Sequence, residues 1–273
     1  MADLLIHSMA EFGELILDVL AAAKARTLAE IGAEFGGMST RLAQYCHERG
    51  AELISIDPSP KPEFLVWAAA MPHVRHIARP SLEAMPGLAA MDAWVIDGDH
   101  NYYTVFHELA LASANARDAG RPLLAILHDV GWPCARRDMY YAPERIPAEY
   151  RHPHSYDVGV TLDSRGSIAH RGFRGGGFHA WALEAGGARN GVLTAVEDFI
   201  AEQKGQGRDL RYAHVPAVFG LGVVYDGDAP WADDVARILA PYDDNLLLAR
   251  LEENRLRNYL TVIDWQDRTA VGG

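Results

Sequence analysis

The chain has 273 residues, 49% hydrophobic and 23% charged, a globular composition that excludes a disordered chain, a collagen-like fibre and a long coiled coil. A formal net charge of −12 repels phosphate backbones and anionic membranes, so no nucleic-acid partner is expected. Two cysteines, no apolar run near the roughly 20 residues of a membrane span, and acidic residues in the opening stretch together point to a soluble cytoplasmic protein. Met9, Phe12, Ile16, Val19 and Leu20 lie at helical spacing, so residues 1–26 are expected to carry an amphipathic helix. Strands and helices then alternate. Strands are expected at 27–31, 52–56, 74–78, 93–96 and 122–127. Helices are expected at 39–49, 63–70 and 103–119. This rhythm predicts an α/β, Rossmann-like parallel sheet with helices on both faces.

Residues about 131–188 break the rhythm with four prolines, Gly175–Gly177 and aromatic residues at 132, 140, 141, 150 and 156. A loop region this long is disordered or functional, and the aromatics favour a lid or substrate-binding insertion. Gly175–Gly177 is read as a flexible hinge. A helix near 190–203 and a closing antiparallel strand pair over 210–225 complete a domain spanning 27–230. Residues 231–273 form a helical extension. Its stripe of Leu246, Leu247, Leu251, Leu260 and Ile263 either packs on the sheet or forms a homodimer or larger homo-oligomer interface.

Three motifs carry chemistry. In the first, Glu30, Gly32, Ala33, Glu34, Gly36, Ser39 and Thr40 run from a strand through a tight turn into a helix. Glycines there admit close backbone approach, and the helix start offers free N–H groups. Asp57 ends the next strand, where a carboxylate can hold ribose hydroxyls. The spacing is not that of dinucleotide binders, and Glu30 would repel a pyrophosphate. The bland alternative is a turn with no ligand. The second motif, Asp97-Gly98-Asp99-His100-Asn101-Tyr102-Tyr103, and the third, His128-Asp129-Val130-Gly131-Trp132, each end an apolar strand. Carboxylates and a His at adjacent strand ends can share one divalent cation, Mg²⁺ or Mn²⁺. Alternatively Asp97 and Asp129 only cap helices or turns.

The Glu-x-Gly-x-x-x-Gly strand end followed by Asp57 resembles the S-adenosylmethionine site of class I methyltransferases. The resemblance implies that Glu30, Gly32 and Gly36 line the methionine part, Asp57 holds the ribose, and Ser81 in the Pro80–Glu83 loop lies near the adenine. The second and third motifs are similar to those of cation-dependent O-methyltransferases. The wording Asp-Gly-Asp-His-x-Tyr is closer to the macrocin and cephalosporin-hydroxylase-like group. That resemblance implies a metal held by Asp97, Asp129 and His128, and His100 in the position of the base with Asp99 second. His100 also suits an N–H donor or an orienter of the metal ligands.

The expected reaction is transfer of a methyl group from S-adenosylmethionine to a hydroxyl of a small saccharide, a glycosylated product or a polyhydroxylated one. Trp132, Arg136, Arg137, Tyr140 and Tyr141 are the expected substrate contacts, since aromatics beside Arg suit a sugar ring. The alternative for that cluster is a solvated loop. Rival functions are a metal-independent or phenol-directed enzyme of the same fold, and a cofactor-binding module without chemistry.

Overall fold

The computed structural model describes residues 7–270; the first six residues of the expected N-terminal element and the last three of the extension lie outside them. Five short strands, β1 (Thr27–Ile31), β2 (Glu52–Ile56), β3 (Val74–Ile77), β4 (Ala93–Ile96) and β5 (Leu124–His128), pair in parallel. β4 and β5 are buried along their whole length, as continuous apolar runs in a parallel sheet must be. The insertion adds six strands of two or three residues: β6 (Met139–Tyr140), β7 (His154–Ser155), β8 (Val158–Val160), β9 (Ile168–Ala169), β10 (Phe173–Arg174) and β11 (Ala180–Ala182). Two antiparallel strands close the main sheet, β12 (Leu210–Val215) and β13 (Leu221–Asp226). The sheet order is β12-β13-β5-β4-β1-β2-β3, with β13 antiparallel to both neighbours. The chain runs outward from β1 to β3 and then returns to β4 on the other side of β1. The crevice at that reversal is where open α/β sheets bind ligands.

Among the described residues eight α-helices accompany the strands: α1 (Gly13–Ala22), α2 (Gly37–Arg49), α3 (Pro62–Ala69), α4 (Ser81–Ala84), α5 (Tyr102–Asp118), α6 (Val192–Gly205), α7 (Ala232–Leu239) and α8 (Leu246–Ala270). Successive strand residues point to opposite faces. Ala29, Ile31, Trp94 and Ile96 pack with Val105, Leu109, Val196 and Phe199 of α5 and α6. Leu28, Ala93, Val95 and Ile126 pack with Ile16, Leu20, Leu42 and Val235 of α1, α2 and α7. The α/β architecture with two covered faces is as the sequence predicts.

The structure adds detail to three expectations. The insertion is an ordered unit. Its strands form two three-stranded sheets, and Tyr140 and Trp181 are fully buried. Asp138 keys it to the body: its carboxylate accepts the N–H groups of Tyr102 and Gly191 and the Tyr140 hydroxyl, each at 2.7 Å. Gly175–Gly177 is a tight turn, in which a Cβ on Gly175 would lie 2.4 Å from the His179 carbonyl oxygen. The C-terminal extension is two helices, broken beyond α7 around Pro241, with Asn245 capping the start of α8 through the N–H groups of Leu247 and Leu248. Leu246, Leu247 and Leu251 are exposed, whereas Leu256 is buried and Leu248 packs against the core.

A buried carboxyl on α5 makes stability pH-dependent. Burial pushes Glu108 up from 4.5 to about 8, the Ser81 hydroxyl acting the other way. The native chain therefore keeps a proton that the unfolded chain releases, and stability falls as pH rises from about 4.5 through 8. The expected loss is roughly 3–5 kcal/mol in order of magnitude. Glu108→Gln should flatten this part of the dependence. Thermal unfolding of both proteins at pH 5 and pH 8 checks it; equal declines in Tm count against the assignment.

Candidate active site

β1 ends in the glycine-rich turn, and two of its glycines are demanded by the backbone. Gly32 has φ +86°, and a Cβ there would lie 2.2 Å from the Asp97 carbonyl oxygen, so β1 and β4 approach through it. Gly36 also has φ +86° and opens α2 without a side-chain cap. Asp57, from the end of β2, accepts the N–H groups of Ala33 (2.9 Å) and Glu34 (3.1 Å) with one oxygen and that of Ser59 (2.8 Å) with the other. It fixes the shape of the turn before it can touch any ribose. Ser81 starts α4 and is almost buried.

Glu30, Ser39 and Thr40, expected in the cofactor motif, each have protein partners. Glu30 is 1% exposed and accepts the hydroxyls of Ser39 and Ser55 at 2.7 Å. Burial raises its carboxyl to about 7, the two hydroxyls lowering it. Ser39 is wholly buried in that contact. Thr40 bonds the Gly37 carbonyl oxygen and lines a groove with α1 residues Leu17, Asp18 and Ala21. These residues support the turn from beneath and beside it.

The ends of β4 and β5 bring four ionisable side chains together. Ile96 pairs with Leu127 in the parallel register, so Asp97 and His128 emerge side by side. His128 Nδ1 lies 3.1 Å from Asp97 Oδ1 and 3.3 Å from Asp129 Oδ2. Its Nε2–H donates to the Val218 carbonyl oxygen at 2.8 Å. Asp129 adopts φ +59°, which turns its carboxylate back toward the cluster. His100 Nε2 is 3.2 Å from the same Asp129 oxygen. Burial lowers the His128 pKa, but Asp129 and Asp97 outweigh it and hold the imidazole well above its ordinary value. Burial raises Asp129, and His100 and His128 outweigh that in turn, holding it below the usual carboxylate range. Ligand atoms of Asp97, His100 and Asp129 lie within 4.8 Å of one another.

Asp99 is placed otherwise than expected for a base. Its oxygens accept the His100 N–H at 3.1 Å and the Thr104 hydroxyl at 3.2 Å, so it organises the turn into α5. Of the expected substrate residues, Tyr141 stands beside the cluster, its ring 6.1 Å from that of His100 and half exposed. Trp132 packs on Phe173 and Phe219. The other three lie against protein partners. Arg137 is buried, its guanidinium bonded to the carbonyl oxygens of Ala182 and Arg165. Arg136 pairs with Glu197 on α6 at 2.5 Å. Tyr140 is fully buried on Asp138. Cys134 is buried and its thiol is pushed well up by burial, so it is no reactive thiol.

Sequence reading missed His179 and the Val218–Gly220 loop. The His179 ring lies 5.9 Å from that of Tyr141, and burial, with His100 and His7, lowers its pKa to about 4. It lies far from the motifs in sequence, and no local signal marks it. Val218 and Phe219, at φ 44° and 64°, are strained positions for side-chain-bearing residues and are invisible in the sequence.

Residues 29–130, from β1 to just past β5, match the family described as methyltransferase domain. No curated protein matches the chain. Among solved structures it is similar to the O-methyltransferase TomG of Streptomyces achromogenes, involved in tomaymycin synthesis and crystallised with S-adenosylmethionine (17% identity, TM-score 0.45, 83% of each chain). It is also similar to cofactor-bound Rv0187 from MTB (16% identity, TM-score 0.46, 82% of each chain). A third is the Podospora anserina methyltransferase PaMTH1 bound to S-adenosylhomocysteine (13% identity, TM-score 0.41, 77% of this chain and 76% of that one). Among the described residues no helix is long and apolar enough to cross a membrane.

The turn geometry gives a sharp contrast between glycines. Gly32→Ala puts a methyl against the Asp97 backbone at positive φ and should cost about 2 kcal/mol or more. Gly87→Ala meets nothing within 4 Å and should stay within about 0.5 kcal/mol of the parent. Denaturant midpoints measure both; a harmless Gly32→Ala would contradict the β1–β4 contact.

Proposed function

We propose that this chain transfers the methyl group of S-adenosylmethionine to a hydroxyl oxygen, assisted by a divalent cation. The proposed acceptor is a small saccharide or a glycosylated or polyhydroxylated product. One observation carries the reading: Asp97, His100, His128 and Asp129 converge at two strand ends beside the glycine-rich crevice. The methyltransferase-domain match over that segment supports the choice of cofactor, and the wording Asp-Gly-Asp-His-x-Tyr supports a hydroxyl acceptor.

The donor set fits a cation. Asp97, Asp129 and His128 Nδ1 would hold it, because His128 already donates its other ring N–H to a backbone carbonyl, as metal-bound imidazoles do. Two carboxylates and one imidazole suit Mg²⁺ or Mn²⁺. When bound, the cation lowers the pKa of the acceptor hydroxyl and fixes its line of approach.

The chain's own residues supply the remainder. The β1–α2 turn, shaped by Asp57, would seat the cofactor at the uncapped start of α2. Asp129 accepts the Nε2–H of His100, which fixes the tautomer and leaves Nδ1 to take the hydroxyl proton. The hydroxyl oxygen then forms its bond to the methyl carbon as the carbon–sulfur bond breaks, and the sulfonium leaves as a neutral thioether. Tyr141 of the insertion stands beside His100 on this side of the cluster. A metal-independent reading keeps one specific support: a proton on His128 Nδ1 also balances the two carboxylates.

Calorimetric titration of S-adenosylhomocysteine into EDTA-treated protein, then with Mn²⁺ and Mg²⁺, tests the reading. Micromolar cofactor binding is expected, with a separate saturable metal site. Asp129→Asn, whose side chain tolerates the left-handed backbone, should keep cofactor binding and lose at least about 100-fold in turnover. Full turnover in EDTA would move the reading to the metal-independent form. Absence of cofactor binding under every condition would remove both.

A further inference from the structure

We infer that Glu252, on α8, is a positioning residue that sets the orientation of His128 from outside the strand-end site; this rests on the function proposed above. The argument starts from backbone strain. Val218, Phe219 and Gly220 hold φ of 44°, 64° and 91° in succession. A β-branched residue in that region is a steric outlier. Such conformations in residues with side chains are strained and persist only where the surroundings enforce them.

The enforcing contacts are few and identifiable. Phe219 N–H donates to Glu252 Oε1 at 3.0 Å. Phe219 carbonyl oxygen accepts the Gly131 N–H at 2.6 Å. The two chains are so close that a Cβ on Gly131 would lie 2.5 Å from the Phe219 oxygen. The Phe219 ring packs on Trp132 and Phe173. Arg255 pairs with Glu252 at 2.7 Å and lies over the Phe219 ring. Glu252 is thus the one side chain among these that grips the loop backbone directly from α8. Burial raises its carboxyl, but Arg255 and the N–H groups of Phe219 and Val218 outweigh that and keep it below the usual range.

The consequence is delivered at Val218. The strained turn aims its carbonyl oxygen at His128 Nε2, 2.8 Å away. That bond fixes the ring so that Nδ1 faces Asp97 and Asp129. A relay therefore runs from Glu252 through Phe219 and Val218 to His128. Glu252 touches no reacting group. Its neighbour Glu253 shows the contrast: it faces outward and pairs with Arg250 and Arg257.

The test compares Glu252→Met, Glu252→Gln and Glu253→Met in the full chain, with ¹⁵N-labelled histidine. In the parent the His128 Nε2–H should give a slowly exchanging signal. Glu252→Met keeps the side-chain length and loses the acceptor. It should broaden or shift that signal and lower kcat about tenfold or more, with S-adenosylhomocysteine affinity within about twofold. Glu252→Gln keeps an oxygen for the Phe219 N–H and should restore both. Glu253→Met should change neither. Glu252→Ala repeats the comparison if Glu252→Met does not fold. An unaltered His128 signal in Glu252→Met, or a Gln variant as impaired as Met, overturns the inference. If the parent binds no cofactor, the function proposed above falls, and the His128 signal still decides the role of Glu252.

Discussion

Two carboxylates held a few ångströms apart beneath the surface need positive charge between them. Asp97 and Asp129 meet the Nδ1 of His128 at 3.1 and 3.3 Å. Their mutual repulsion in a low-dielectric setting is large, and uncompensated burial of either would drive it to take up a proton. The structure instead keeps Asp129 below the usual range by setting His100 and His128 on its two sides. The site is therefore defined by what balances these charges, a proton on an imidazole or a metal ion. Either occupant uses the same side chains, which is why geometry alone supports both forms of the proposed chemistry.

That convergence is a matter of strand register. β4 and β5 lie in parallel with Ile96 opposite Leu127, so the next residue of each strand, Asp97 and His128, must emerge at the same height. A slip of one residue would send one of them to the opposite face. Register is secured by complete burial of both strands. Asp129 could not follow His128 into the cluster on an extended backbone, since its side chain would alternate away. The left-handed φ of +59° reverses it, and Asp is among the residues that accept that region at modest cost. Packing thus fixes the chemistry to within a residue, and one local backbone departure completes it.

This explains what was legible in the sequence. β1, β2 and β4 lie where short β-branched and apolar stretches between turn signals place them. The strand-end motifs were visible because each is contiguous. The insertion's strands were not, since two or three residues cannot display a period. Arg137 looked like a substrate contact because nothing local shows that carbonyl oxygens of Ala182 and Arg165 surround it. Glu30 looked like a cofactor contact because its partner Ser55 lies on a different strand. On α8 the leucines at 246, 247 and 251 are exposed and do not pack on the sheet. The inward face carries Leu248, Glu252, Leu256 and Tyr259, and hydrophobicity alone does not find a face on which a charged residue has a structural task.

The last step concerns how the molecule divides its labour. The segment that matches a methyltransferase domain, residues 29–130, contains the turn and all four clustered side chains. The surroundings of the cluster come from elsewhere: Tyr141 of the insertion stands beside His100, the Val218 carbonyl oxygen of the closing pair accepts from His128, and Glu252 of α8 grips the loop that carries it. Insertion and α8 are also tied by Arg174–Asp267 and Arg257–Asp163. Such exposed pairs contribute little stability, about 0–1 kcal/mol each, so the aromatic packing must supply most of the adhesion and the ion pairs chiefly its registry. On the proposed function, the cofactor half of the site is therefore encoded compactly, while the acceptor half is assembled from three segments distant in sequence. Changes of acceptor can then arise in the insertion and α8 without disturbing the charge balance at the strand ends, provided the contact from Glu252 to the Val218–Gly220 loop is kept.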